Sequence, residues 1–179
     1  MNKKEFAVFQ CIFFTSFFAF GLFYEAIACI FCGLYGGFWA YMSIVRKRMA
    51  FYCNPESLII SIIVVMYAVV SFYGVDGGMG VIGFCKMANV FFFLCCDMQL
   101  SEEQRKKMLS FVPMIGCMMV IIGGFSDIIR PLYGFFYTAG RLGGFFQYAN
   151  VFALFCFVGL LLAASHEAET HAKQWGRIL

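Results

Sequence analysis

The sequence predicts an all-α fold, a polytopic transmembrane helical bundle of about six spans with both termini in the cytoplasm. Its composition is the first indication, since 63% of the 179 residues are hydrophobic and 13% are charged, whereas soluble domains are about 45–50% apolar. The second is that the apolar residues fall into runs of roughly 18–22 residues, the length that crosses a bilayer. The third is an uneven distribution of basic residues between the runs. A net charge of +3 gives no reason to expect a nucleic-acid partner.

Six apolar runs are assigned as spans of one membrane domain that covers residues 1–179. The spans lie near residues 6–24, 26–45, 58–75, 79–96, 108–125 and 145–164. Most basic residues precede the first span or follow the second, fourth or sixth: Lys3, Lys4, Arg46, Lys47, Arg48, Arg105, Lys106, Lys107, Lys173 and Arg177. Because basic segments are retained in the cytoplasm, this pattern predicts cytoplasmic termini, a cytoplasmic tail at 165–179 and a long outer loop at 126–144.

Local signals mark where several helices begin. The Asn54–Pro55 pair predicts a capped start for the third span. The segment Ser101–Gln104 has the spacing of a capping box, which predicts the start of the fifth span. The glycine-rich segment Asp76–Gly80 is expected to form a flexible turn between spans. Pro113 lies inside the fifth span and is expected to kink it.

Nine cysteines would suggest disulfides in a small secreted protein, but eight of them lie in the apolar runs: Cys11, Cys29, Cys32, Cys85, Cys95, Cys96, Cys117 and Cys156. They are expected to be reduced and inert small hydrophobes. Cys29 and Cys32 have the spacing of half a zinc site but lack a second pair. His166 and His171 lie five residues apart, which does not place them on one helix face. No metal and no other cofactor is therefore expected.

Two polar residues interrupt the fourth span and are the first candidates for a functional site. Lys86 lies about seven residues in from Met79, roughly 10 Å below the surface, and Asn89 follows on the same face. Ionisable residues at this depth often serve function. Two interpretations stay open: Lys86 pairs within the protein, for example with Asp76 at the outer turn, or Lys86 and Asn89 both contact a substrate.

The second group of candidates lies in the stretch Arg141–Asn150, where the sixth span begins. Gln147 and Asn150 are three residues apart, so a helix that starts at Gly144 would present both amides on one face. Asn150 would then lie roughly 9 Å below the surface, where polar groups need partners. Arg141 and the free amides of the helix start could together bind an anion. The alternative is that the arginine only extends to lipid headgroups.

The two groups are expected at similar depths, so polar residues of the fourth and sixth spans are expected to meet in one outward-facing cavity. Arg130, in the predicted outer loop, is a further candidate for substrate binding. It follows Asp127 by three residues, and the alternative is a local ion pair, which contributes little stability when exposed.

The stretch from Arg141 to Phe155 resembles the O-antigen ligase and O-antigen polymerase family of bacterial membrane glycosyltransferases. Members of that family carry an outward arginine, a glycine and an aromatic residue before an asparagine that opens a span. This chain is similar to a variant with Gln-Tyr-Ala-Asn in place of Asn-Pro-Asn. The resemblance implies a multi-pass protein of the bacterial cytoplasmic (inner) membrane.

The same resemblance implies an activity. Such enzymes transfer a glycan from a polyprenyl-pyrophosphate carrier to a lipid or sugar hydroxyl, without metal or nucleotide sugar. Arg141 would be the catalytic residue that holds the departing pyrophosphate, since a cation stabilises the leaving group. The partners implied are membrane lipid and the polyprenyl-pyrophosphate-linked glycan.

The resemblance covers only the N-terminal half of such an enzyme. Family members continue through more spans and a large outer loop that carries a histidine thought to act in catalysis, whereas both histidines here lie in the predicted cytoplasmic tail. The expectation is a truncated chain that is inactive alone and needs a partner protein supplying the C-terminal half. Two other interpretations stay open: a small transporter or channel component, and a non-catalytic membrane subunit.

Overall fold

In the computed structural model the chain is almost entirely helical. The structure describes residues 1–19, 24–47, 55–138, 140–146 and 148–175, with the backbone alone at 56, 57, 127, 130–132 and 166–175. The α-helices are α1 (Lys3–Phe18), α2 (Glu25–Arg46), α3 (Pro55–Tyr73), α4 (Gly77–Asp97), α5 (Glu102–Ile128), α6 (Arg130–Phe136) and α7 (Ala149–Trp175). Two short strands, β1 (Tyr137–Thr138) and β2 (Arg141–Leu142), and a 3₁₀ turn (Gly144–Phe146) lie between α6 and α7. The predicted all-α class is confirmed for the described residues.

Three of the described helices are long and apolar enough to cross a membrane: α2, α4 and the part of α5 from Glu102 to Ser126. Shorter apolar segments lie in α3 (Leu58–Tyr73) and α7 (Ala149–Ser165). Large apolar side chains are exposed along these helices, and Phe72 is the extreme at 92%. Such surfaces suit lipid rather than water. Composition and helices together therefore describe a membrane protein, while the count of six spans and the side on which the termini lie stay predictions.

The chain forms two compact units, Met1–Gln104 and Arg105–Leu179. In the first unit α2 and α3 both pack against α4, and α1 packs against α2. The fully buried ring of Phe9 stacks on Phe38 of α2 and on Phe93 of α4, each at 5.7 Å between ring centroids. Aromatic pairs at this distance add stability beyond the burial of their area, so Phe9 joins three helices at the centre of this unit.

Hydrogen bonds join several helix ends at one end of the first unit. The ammonium group of Met1 donates to the carbonyl of Gln99 at 3.2 Å, and the Gln104 side chain donates to the Met1 carbonyl at 2.9 Å. Arg46, at the end of α2, pairs with Glu5 in the first turn of α1 at 3.3 Å. The start of α1 therefore lies beside the ends of α2 and α4, which is the alternation expected of consecutive antiparallel spans.

Two of the predicted helix starts are confirmed. α3 begins at Pro55, although Asn54 lies outside the described residues. At the start of α5, the backbone N–H of Ser101 donates to the Gln104 side chain at 3.1 Å, and the N–H of Gln104 donates to the Ser101 hydroxyl at 3.3 Å. These reciprocal bonds are the predicted capping box.

The predicted flexible turn at Asp76–Gly80 is wrong, because these residues begin α4. Asp76 caps the helix through Oδ1, which accepts from the N–H of Met79 at 3.1 Å. A Cβ at Gly80 would lie 2.8 Å from the Cα of Ser71, so glycine allows α3 and α4 to meet closely. Packing against α3 and the aspartate cap together favour a helix over a turn.

In the second unit α5 and α7 approach each other through small residues. A Cβ at Gly159 of α7 would lie 3.2 Å from the Cα of Pro113 on α5, and a Cβ at Gly116 would lie 3.7 Å from the Phe155 ring. α5 continues through Pro113, and the predicted kink stays a prediction. An apolar groove of about 400 Å³ runs along the two helices, lined by residues of α5 from Pro113 to Ile121 and of α7 from Cys156 to Ala163.

Candidate functional site

Arg141 lies on a short hairpin between α6 and α7. β1 and β2 pair antiparallel, with Thr138 opposite Arg141. Gly140, in the turn, has a φ of +74°, a conformation that glycine adopts without steric cost. The N–H of Gly143 donates to the carbonyl of Phe136 at 2.8 Å. This bond closes the hairpin against the end of α6 and limits the backbone positions open to Arg141.

The residues after Arg141 fix the hairpin to α5 and α7. The Leu142 side chain packs onto Gly123 of α5, where a Cβ would overlap it. Gly144 has a φ of +54°, and a Cβ there would lie 3.0 Å from the Phe152 ring of α7. Packing therefore accounts for both the leucine and the second glycine of the motif. The predicted outer loop at 126–144 contains the end of α5, all of α6 and the hairpin.

Packing does not account for Arg141 itself. Its side chain is exposed, and its guanidinium makes no hydrogen bond or ion pair with the part of the chain that the structure describes. β2, which carries it, contacts α7. A guanidinium offers a planar fork of donors that matches phosphate or carboxylate oxygens. The hairpin thus presents an available anion-binding group from a backbone that is held in place.

The expectation of an α-helix that starts at Gly144 is wrong. Residues 144–146 form a 3₁₀ turn and α7 begins at Ala149, because the left-handed φ of Gly144 interrupts a right-handed helix. Asn150 is therefore exposed in the first turn of α7, rather than roughly 9 Å along a helix that starts at Gly144. Gln147 lies outside the described residues, so the helix face that it was predicted to share with Asn150 stays a prediction.

Asn89 is buried, with 3% of its surface exposed, and joins α4 to α2. Its Nδ2 donates to the carbonyl of Ala28 at 2.8 Å and to that of Cys85 at 3.0 Å, while its buried Oδ1 has no hydrogen-bond partner in the described part of the chain. Lys86 is half-buried on the preceding turn. The described side chains of Lys86 and Asp76 form no ion pair, because Asp76 caps the start of α4, roughly 15 Å away along the helix axis; whether Lys86 contacts a substrate stays a prediction.

The candidate residues are divided between the two units. Lys86 and Asn89 lie in the first, and Arg141 and Asn150 in the second. The outward cavity expected between the fourth and sixth spans stays a prediction. Arg130 is the first residue of α6; its side chain lies outside the described part, so both its substrate contact and its pairing with a nearby aspartate stay predictions.

Sequence reasoning missed two features of these sites. The first is the hairpin, for which the two glycines after Arg141 were a usable signal, since Gly-Gly pairs mark turns more often than helix starts. The second is a contact between cysteine side chains of α2 and α4 near Asn89. No signal in the sequence could have found it, because it depends on which helices are neighbours.

Comparison with known proteins finds no family model, no curated protein and no solved structure that matches the chain. The fold and the site define an α-helical membrane protein with an available arginine on a fixed hairpin. The resemblance of the stretch from Arg141 to Phe155 to O-antigen ligases stays a prediction, and the function is proposed from the site.

Proposed function

We propose that this protein binds the pyrophosphate group of a polyprenyl-linked glycan at the outer face of the bacterial inner membrane, as part of a glycan-transfer machinery of the O-antigen ligase or polymerase type. The observation that carries the proposal is Arg141, which is exposed and unpaired among the described residues and lies on a hairpin fixed at Leu142 and Gly143. In the proposed topology of six spans with cytoplasmic termini, this hairpin faces outward.

The chemistry of glycan transfer explains why an arginine is useful there. The bond between the sugar carbon and the pyrophosphate oxygen breaks, and negative charge develops on the departing oxygen. A guanidinium within hydrogen-bonding distance stabilises that charge more strongly in the transition state than in the ground state. Because the hairpin is fixed before the substrate arrives, less conformational freedom is lost on binding. The proposal leaves activation of the acceptor hydroxyl to a partner protein.

Binding of farnesyl pyrophosphate to the purified chain in lipid nanodiscs tests the proposal. Hydrogen bonds to charged groups contribute about 1.5–3 kcal/mol each, so Arg141→Ala is expected to weaken binding by about tenfold or more. Arg141→Lys is expected to bind with intermediate affinity, because an ammonium group lacks the bidentate fork. Lys3→Ala removes the same charge from the exposed first turn of α1 and should bind like wild type. Equal affinity of wild type and Arg141→Ala would contradict the proposal.

A transporter or channel component is the second candidate function. It is favoured by Lys86, a half-buried cation in α4, and by the unpartnered Oδ1 of Asn89, since polar groups inside a span often mark ion or solute pathways. Potassium chloride conductance across a planar bilayer containing the protein tests it. A cation in the pathway predicts anion selectivity that Lys86→Met abolishes and Arg141→Ala leaves unchanged. Absence of any conductance would exclude a channel, which is the form of this candidate that the experiment tests.

A further inference from the structure

Three cysteine side chains meet between α2 and α4 in the first unit. The thiol of Cys85 lies within hydrogen-bonding range of the thiols of Cys29 and Cys32. All three are free and half-buried, so they are partly open to small apolar molecules. A role as separate inert hydrophobes does not explain why the thiol of Cys85 on α4 contacts thiols of α2. We name these three residues the α2–α4 thiol cluster.

Asn89 fixes the register of the two helices at the level of the thiol cluster. Its Nδ2 donates both to the carbonyl of Ala28 and to the carbonyl of Cys85, at 2.8 Å and 3.0 Å. Ala28 immediately precedes Cys29, so the amide holds the backbone of Cys85 next to that of Cys29. The contact between the thiols is therefore supported by a buried interhelical hydrogen bond, independently of the thiols themselves.

A metal site is one possible use of three thiols. Among the described residues, however, no group of three or more histidine, cysteine, aspartate or glutamate side chains has the arrangement to hold a metal ion. A disulfide needs only two sulfurs in contact and Cα atoms about 4.4–6.8 Å apart, a separation within reach of closely packed helices. Because the thiols contact each other in pairs and form no three-ligand group among the described residues, covalent pairing of two thiols is the chemistry to test.

We propose that Cys85 is a redox modification site, which forms a reversible disulfide with Cys29 or Cys32 and thereby joins α4 covalently to α2. Because the cluster lies within apolar helices, the oxidant must dissolve in lipid, and we assign this role to a quinone. Each thiol loses one proton and one electron, the sulfur–sulfur bond forms, and the quinone is reduced to the hydroquinone. Thiol–disulfide exchange with a dithiol restores the reduced pair.

The test uses the wild-type chain in lipid vesicles that contain a tetrasubstituted benzoquinone, without oxygen. After acid quenching and denaturation, free thiols are alkylated with N-ethylmaleimide and disulfide-linked peptides are identified by mass spectrometry. The expected result is that the free thiols fall from nine by two per chain, with one hydroquinone formed and one linked peptide joining α2 to α4. Dithiothreitol should restore all of them. Unchanged free thiols, or a disulfide that excludes Cys85, would overturn the proposal.

Variants identify the partner and control for other thiols. Oxidation should remove no free thiols from Cys85→Ala or from the double variant Cys29→Ala/Cys32→Ala. Of the single variants Cys29→Ala and Cys32→Ala, the one that keeps the true partner of Cys85 should still form the disulfide. Cys117→Ala, at an exposed cysteine of the second unit, should still lose two. A loss of two thiols in the double variant would contradict the proposal. The wild-type peptide map decides the question even if a variant fails to fold.

Discussion

The α2–α4 contact in the first unit and the α5–α7 contact in the second hold apolar helices together by different means. At α2–α4 a buried amide, Asn89, donates across to the Ala28 carbonyl. At α5–α7 a glycine, Gly159, lets the backbone of α7 approach Pro113. In a membrane, where lipid is as apolar as the helices, close packing of small residues and interhelical hydrogen bonds are the two main ways to associate.

This difference helps to separate polar groups that the fold uses from those it leaves available. Asn89 and Arg141 are both polar residues in or beside apolar runs, and the sequence alone favours both as substrate contacts. In the structure Asn89 is buried and bonds to two carbonyl groups, whereas Arg141 is exposed and the packing around it involves its neighbours. The arginine is therefore the stronger functional candidate, and the asparagine has a structural role in addition to any other.

The largest destabilisation is expected from Gly144→Val, which tests whether the hairpin is fixed to the second unit by packing. A β-branched residue at a φ of +54° is strained by about 1–3 kcal/mol, and overlap with Phe152 adds about 1–3 kcal/mol. The free energy of unfolding in mixed micelles, titrated with sodium dodecyl sulfate, measures the loss. Gly124→Val is the control, because nothing lies within 4 Å of a Cβ at Gly124. Equal stability of the two variants would mean that the hairpin does not depend on this contact.

A smaller loss is expected from Gly159→Val, which tests the close approach of α5 and α7. The new Cβ would lie 3.2 Å from the Cα of Pro113, and a backbone atom cannot move aside as a flexible side chain can. Overpacking of this kind costs about 1–3 kcal/mol. Gly37→Val in α2, where a Cβ meets nothing within 4 Å, is the matched control in the same unfolding titration. If both variants lose the same stability, helix propensity rather than packing explains the change.

The smallest loss is expected from Asn89→Ala, which removes the interhelical hydrogen bond of the α2–α4 contact. Such bonds contribute about 0.6–2 kcal/mol in membranes, and part of the loss is offset because the unpartnered Oδ1 is removed as well. Asn150→Ala, at an exposed position, should change the free energy of unfolding by less than about 0.5 kcal/mol. If Asn89→Ala lowers the free energy of unfolding no more than Asn150→Ala does, the interhelical hydrogen bond does not stabilise the α2–α4 contact, and the contrast with the α5–α7 contact fails.

The approximate positions of α2 to α5 could be predicted because the signals are local, whereas α6 lies in the stretch predicted as an outer loop. The length of an apolar run, the Ser101–Gln104 capping box and the proline at position 55 each act within a few residues of the chain. The start of the last helix could not be placed in this way. The apolar segment Gly144–Phe146 is typical of a span, and only its contact with Phe152 and the φ of Gly144 reveal a turn.

The sites depended even more on tertiary contacts. Lys86 and Asn89 were predicted to lie on one face of α4. The sequence alone could not tell which neighbouring helix that face contacts. The structure places Asn89 against Ala28 of α2, and the same register brings Cys85 to Cys29. Arg141 was predicted as a site residue from its sequence motif. That its side chain has no partner among the described residues is visible only in the folded chain.

The sidedness of the hairpin tests the central claim most directly, because an arginine that binds a glycan carrier on the outer face must face outward. Thr138→Cys places a thiol opposite Arg141, and Lys3→Cys places one in the first turn of α1. Labelling with a membrane-impermeant maleimide is compared with the wild-type background in intact spheroplasts and in opened membranes. The account predicts that Thr138→Cys is labelled in intact spheroplasts and Lys3→Cys only in opened membranes. Labelling of Thr138→Cys only after the membranes are opened would contradict it.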